Sequence, residues 1–182
     1  MRLRAAAVLA LALSLAGCVA GSGTVDTGYV SGDGTVTTWD VGERGDPVEL
    51  SGTTFDGGSV DVEDYRGQVV LINTWYAACP PCRAEAPDLA ALDARDDIQV
   101  IGVNGRDDAG TALAFDRTFG LVYPSIDDAD GRAIAALQGL VALNAVPTTL
   151  VLDPEGRVAA RIIGRAEPST LAALVDEAMG AT

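Results

Sequence analysis

This 182-residue chain predicts an α/β fold: a mixed central β-sheet flanked by helices, extended on its N-terminal side by a β-hairpin. Three observations carry that expectation. Two apolar strand-length runs, Val69–Thr74 and Ile98–Asn104, are each followed by a helix-compatible segment, the pattern of buried strands joined by crossover helices. A third run, Val146–Leu152, meets Val158–Ile163 across Asp153-Pro154-Glu155-Gly156, a strong turn sequence, so those two return antiparallel. The last periodic segment starts at Pro168 and places Leu171, Leu174, Val175 and Ala178 on one helical face.

From the N-terminus, Arg2 and Arg4 precede an apolar run, Ala5–Ala16, interrupted only by Ser14. The run is too short to cross a hydrocarbon core of about 30 Å as a helix, and residues 1–17 read as a secretory signal peptide. Its end, Leu15-Ala16-Gly17-Cys18, resembles the lipobox of bacterial lipoproteins. That resemblance implies cleavage before Cys18, lipidation of its thiol, and an extracytoplasmic protein anchored to the cell membrane with no spanning helix. The alternative is an ordinary export signal with Cys18 unmodified. Residues 18–46, rich in Gly, Ser, Thr and Asp, read as the lipidated cysteine and a flexible tether. Within it Tyr29, Val36 and Trp39 are the residues expected to dock on the domain, which is placed at 47–182.

The domain opens with Val48–Leu50 and Thr53–Phe55, which turn at Asp56-Gly57-Gly58 into Ser59–Val62: a hairpin. Tyr65-Arg66-Gly67 turns into Val69–Thr74, expected at the centre of the sheet. The helix after it runs to about Ala94 and contains Pro87, which should kink it. Ala109–Phe119 reads as helix with Leu113, Phe115 and Phe119 inward, Tyr123–Ile126 as a short extended piece, and Gly131–Leu137 as a small helix.

Charge excludes several partners. Without Arg2 and Arg4, ten arginines face 26 acids, a net charge of 10 − 26 = −16, which repels nucleic acid phosphates and anionic headgroups. The absence of histidine removes Ser-His-Asp and Cys-His hydrolase mechanisms and the commonest metal ligand. Two thiols without histidine do not build a four-ligand metal site, so no metal and no cofactor are expected.

The most informative stretch is Trp75-Tyr76-Ala77-Ala78-Cys79-Pro80-Pro81-Cys82-Arg83-Ala84-Glu85, where a strand gives way to a helix. A helix N-terminus supplies unpaired N–H groups and partial positive charge, which favour a thiolate, the species that attacks disulfides. With Cys18 committed to lipid, Cys79 and Cys82 are the only pair left. As a structural staple they close too short a loop to contribute more than about 2 kcal/mol, whereas as a reactive site they are well placed. Cys82, one turn on, is expected to be the more buried. Arg83 reads as a solvated surface residue.

Taken with Val146-Pro147-Thr148 and the strand–turn–strand ending at Ile163-Gly164, these residues resemble the thioredoxin superfamily, in particular its TlpA/ResA-like exported thiol-disulfide oxidoreductases. The resemblance covers about Pro47–Met179 and implies the thioredoxin fold. It makes Cys79 the nucleophile, Cys82 the resolving thiol and Pro147 a cis-proline beside which Val146 pairs with an extended substrate strand, with Trp75, Pro80 and Pro81 lining that contact. Glu85 aligns with an acid held to handle the thiols' protons; its alternative reading is an acid favoured by an early helical turn. Ala78 departs from the tryptophan that many relatives carry at that position. The expected activity is reduction of protein disulfides, with apocytochrome c a candidate substrate and a membrane thiol donor the electron source. A thiol peroxidase on the same fold and a non-catalytic surface lipoprotein are the alternatives. The direction of electron flow is left open by the residues themselves.

Overall fold

A computed structural model describes residues 35–141 and 145–180. Cys18 and the 1–17 segment lie outside the described residues. Among the described residues no helix is long and apolar enough to cross a membrane.

Among the described residues the strands and α-helices follow in this order: β1 (Thr35–Thr38), β2 (Ser51–Thr53), β3 (Ser59–Asp61), β4 (Val69–Thr74), α1 (Pro80–Asp93), β5 (Ile98–Asn104), α2 (Ala109–Phe119), β6 (Ser125–Asp127), α3 (Arg132–Ala136), β7 (Thr148–Leu152), β8 (Val158–Ile163) and α4 (Pro168–Gly180). The main sheet has the order β1-β8-β7-β4-β5-β6. Strands β4, β5 and β6 run parallel; β7 pairs antiparallel with β4, and β8 with β7. This is the mixed sheet of the thioredoxin-like class, with β4 central and buried along its whole length.

Alternation along β4 splits the core in two. Val69 and Leu71 face a cluster containing Leu89 of α1, Phe115 of α2 and Leu171 and Val175 of α4. Val70 and Ile72 face a second cluster with Val48, Leu50 and Val62 from the hairpin region, Ala133 from α3 and Leu137, which caps its C-terminus. Burying a side chain of this size contributes about 1.5–3 kcal/mol, so β4 is the strand that both layers depend on. The hairpin β2–β3 forms its own two-stranded sheet and touches the main one through Thr54 and Ile126. Its turn needs glycine at Gly57, where φ is +87°.

The N-terminal boundary moves upstream of Pro47. Thr35–Thr38 is not free tether: it pairs antiparallel with Ile163–Ala160 at the sheet edge and buries Val36. Trp39 continues the contact through its N–H on the Ala159 carbonyl at 2.9 Å and with Arg161 over its ring at 5.7 Å. Helix α1 runs continuously through Pro87, whose missing N–H leaves one carbonyl of the preceding turn without its helical partner. In α2 the fully buried residues are Ala112 and Phe115, with Leu113 and Phe119 half-buried at the margin.

Candidate active site

Strand β4 ends at Thr74, and the next residues carry the chain over the sheet's edge into α1. Cys79 is the N-cap of that helix, and its sulfur accepts the Cys82 N–H at 3.2 Å. Pro80 and Pro81 occupy the first helical positions, where a missing N–H costs nothing. Cys79 and Cys82 are joined as a disulfide, with S–S 2.06 Å and Cα–Cα 5.3 Å. The expected difference in burial is not seen: Cys79 is 1% and Cys82 2% exposed. In the closed disulfide each sulfur covers the other, and Cys79 is distinguished by its place at the helix terminus instead.

The distant proline does come to the thiols. The Val146–Pro147 peptide bond is cis, and the Val146 carbonyl lies 4.0 Å from Cys79 Sγ. The loop is pinned on both sides: Thr74 Oγ1 accepts the Thr148 N–H at 2.9 Å, Thr148 Oγ1 donates to the Ala145 carbonyl at 2.6 Å, and the Gly164 N–H donates to the Pro147 carbonyl at 2.8 Å. Because β7 begins only at Thr148, the Val146 backbone stands outside the ladder and beside the sulfurs. Pro80 is exposed and Pro81 and Val146 are half-buried, so these three can meet a macromolecule. Trp75 cannot meet one broadly, at 4% exposure; it lies beneath the loop, stacked on Phe115 at 4.5 Å. Its indole edge approaches Gly102 so closely that a Cβ there would sit 2.6 Å from Nε1.

Glu85 lies in the second turn of α1, past the first-turn positions that the helix terminus favours most. It is 2% exposed, turned inward from α1 onto the sheet. Its Oε1 accepts from the Asn73 amide at 2.8 Å, its Oε2 from the Ala166 N–H at 3.4 Å, and Asn73 also donates to Thr149 Oγ1 at 3.0 Å. Burial pushes its carboxyl up to about 7; the Asn73 and Ala166 hydrogen bonds and the Arg165 charge pull against that, and Asp88 adds to it. The arrangement can therefore hold or release a proton near neutral pH, three residues along the helix from Cys82, which is the spacing of neighbours on one helix face.

Arg83 is exposed but engaged: its guanidinium donates to the Ala77 carbonyl at 3.2 Å and lies 5.1 Å from the Phe119 ring and 5.9 Å from Phe115. Asn73 and Thr149 were not singled out from sequence. Their signal is present in hindsight, since Asn73 is the one amide in an otherwise apolar strand.

Comparison with known proteins agrees with this geometry. The sequence profile of the AhpC/TSA family matches residues 41–161. Thiol:disulfide interchange protein HelX of Rhodobacter capsulatus is 28% identical over 78% of both chains. The thiol:disulfide interchange protein DsbE homolog of Paracoccus denitrificans is 40% identical over 53% of this chain, and the chain spans about half its length, 51%. Among solved structures, a DsbF homologue from Corynebacterium diphtheriae is 31% identical with a TM-score of 0.70, covering 82% of this chain and 96% of that one. A secreted thiol-disulfide isomerase from Corynebacterium glutamicum is 30% identical with a TM-score of 0.73, covering 79% and 90%.

Proposed function

The chain belongs to the AhpC/TSA family within the thioredoxin superfamily and is a thiol-disulfide oxidoreductase, and from that premise we propose a membrane-anchored, extracytoplasmic reductant of protein disulfides. The observation that carries the reading is the meeting of Cys79, as the N-cap of α1, with the cis Val146–Pro147 loop. One element favours the thiolate; the other offers a backbone edge to an extended substrate.

In the reduced protein the Cys79 thiolate attacks one sulfur of a substrate disulfide. A Cys79–substrate disulfide forms, the substrate S–S bond breaks, and the second substrate sulfur leaves as a thiolate that takes up a proton. Cys82 then gives its proton to the Glu85 carboxylate and attacks Cys79 Sγ, releasing the first substrate sulfur. The substrate gains two electrons and the protein is left as the Cys79–Cys82 disulfide, the state the structure holds. A membrane thiol donor of the same dithiol chemistry must return those electrons. Apocytochrome c is the substrate class favoured by the resemblance to ResA-like proteins. The Leu15–Cys18 sequence supports attachment to the membrane through a lipid on Cys18, with the Gly-, Ser- and Thr-rich residues that follow as the link to the domain.

Trapping tests the reading. In Cys82→Ser the resolving step is blocked, so mixed disulfides on Cys79 accumulate in cells and mass spectrometry identifies the partners. Absence of adducts, with Cys79 intact and reduced, contradicts it. For the anchor, Cys18→Ala moves the protein from the membrane to the soluble fraction; unchanged membrane association contradicts lipidation.

A further inference from the structure

The turn that leads into Cys79 is held from outside its own helix. Its Cys79 N–H donates to the Tyr76 carbonyl at 3.1 Å, and the Ala77 N–H inside the turn meets no backbone acceptor among the described residues. Asp107, in the loop after β5, supplies one: its Oδ2 accepts the Ala77 N–H at 2.6 Å. The same oxygen accepts from the Asn104 amide at 2.8 Å. Asn104 is buried, and its Oδ1 accepts the N–H groups of Arg106 and Asp107 at 2.9 and 3.2 Å, which folds the loop over and fixes where the carboxylate points. Arg83 holds the Ala77 carbonyl, and Arg106 lies over the Tyr76 ring at 4.5 Å. Of these groups only Asp107 meets a donor that would otherwise be unpaired in a half-buried turn, and a carboxylate forms the shorter and stronger bond.

Thiol–disulfide exchange requires the attacking sulfur, the attacked sulfur and the leaving sulfur to lie close to a line. A small displacement of the first sulfur is therefore costly in rate. We propose that Asp107 is a positioning residue for the exchange reaction: by holding the Ala77 N–H it sets the turn that presents the Cys79 sulfur to an incoming disulfide. The inference rests on Cys79 being the attacking thiol.

Reduced wild-type protein and its Asp107→Ala, Asp107→Asn and Cys79→Ser variants are compared on a synthetic peptide carrying one disulfide, and on iodoacetamide. Alkylation needs the thiolate but no alignment of three sulfurs. Asp107→Ala should slow exchange by about tenfold while changing alkylation by less than about twofold. Asp107→Asn, whose amide oxygen can still accept the Ala77 N–H, should return exchange to within about threefold of wild type. If Asp107→Ala does not fold, Asp107→Glu, which displaces the oxygen by a methylene, takes its place. Equal slowing of exchange and alkylation, an unaffected Asp107→Ala, or an Asp107→Asn as slow as Asp107→Ala overturns the proposal. Exchange that survives in Cys79→Ser overturns instead the reading of Cys79 beneath it.

Discussion

Two buried carboxylates stand near opposite ends of β7 and are treated in opposite ways. Beyond its C-terminal end, Asp153 is 1% exposed and meets Arg44 at 2.9 Å and Arg157 at 2.9 Å. Burial opposes its charge, but the Arg157 N–H and the two guanidinium groups outweigh burial and hold its carboxyl below the usual carboxylate range. Near the other end Glu85, at 2% exposure, has an amide and a distant backbone N–H for partners, and burial carries it up to about 7. The first arrangement neutralises a charge and ties the N-terminal segment to the β7–β8 turn. The second leaves a carboxyl free to change its protonation state three residues along α1 from Cys82. A buried acid with matched cations is structural; a buried acid given only neutral donors, next to reactive sulfurs, is where proton transfer is expected.

The largest effect concerns the dithiol that gives Glu85 its use. Cys79→Ser should lower disulfide exchange by at least about a thousandfold, because no other thiolate sits at the helix terminus. The assay is peptide-disulfide reduction by the reduced protein, with circular dichroism confirming the fold.

At the other pole, Asp153→Asn should cost about 3 kcal/mol of stability in urea unfolding, since it leaves the Arg44 guanidinium buried and without its counter-charge. Exchange activity should stay within about twofold. A large loss of activity without loss of stability would erase the contrast between the two acids.

Glu85→Gln has the opposite signature: about a tenfold slower exchange at neutral pH, with the inflection near 7 gone from the pH–rate profile. Its stability also changes with a definite sign. The folded carboxyl titrates near 7 and the unfolded one near 4.5, so between those values the native state binds more protons and stability falls as pH rises. Above 7 the full penalty is present, at most about 3 kcal/mol, and the amide removes it. Chemical unfolding at pH 5 and pH 8 should show a wild-type difference that Glu85→Gln flattens.

The smallest effect is at Thr149. Thr149→Val removes the second acceptor of Asn73, costs about 1 kcal/mol, and slows exchange by less than about threefold because Asn73 keeps its bond to Glu85.

Local signals explain what the sequence showed. The uninterrupted Val69–Ile72 run declares a strand buried on both faces, Asp153–Gly156 declares a turn, and a cysteine pair at a strand–helix junction declares its chemistry. Strand β1 was hidden because four residues rich in threonine carry no periodicity, and their partner, Ala160–Ile163, is far away in sequence. Glu85 was found but its environment was not. What raises its pKa is desolvation under α1; the Asn73 amide from β4 pulls against that, and the Thr149 that steadies Asn73 comes from β7. The Asp107–Ala77 bond is hidden for the same reason, since it joins two loops that only the parallel pairing of β4 and β5 brings together.

A single titration separates the two acids. With carboxyl carbons labelled, the ¹³C shifts of Glu85 and Asp153 are followed against pH in the same oxidised sample. Glu85 titrating with a midpoint near 7, while Asp153 titrates below the usual carboxylate range, is the outcome expected of a proton-handling carboxyl beside the Cys79–Cys82 pair. A Glu85 midpoint at the ordinary glutamate value would contradict it.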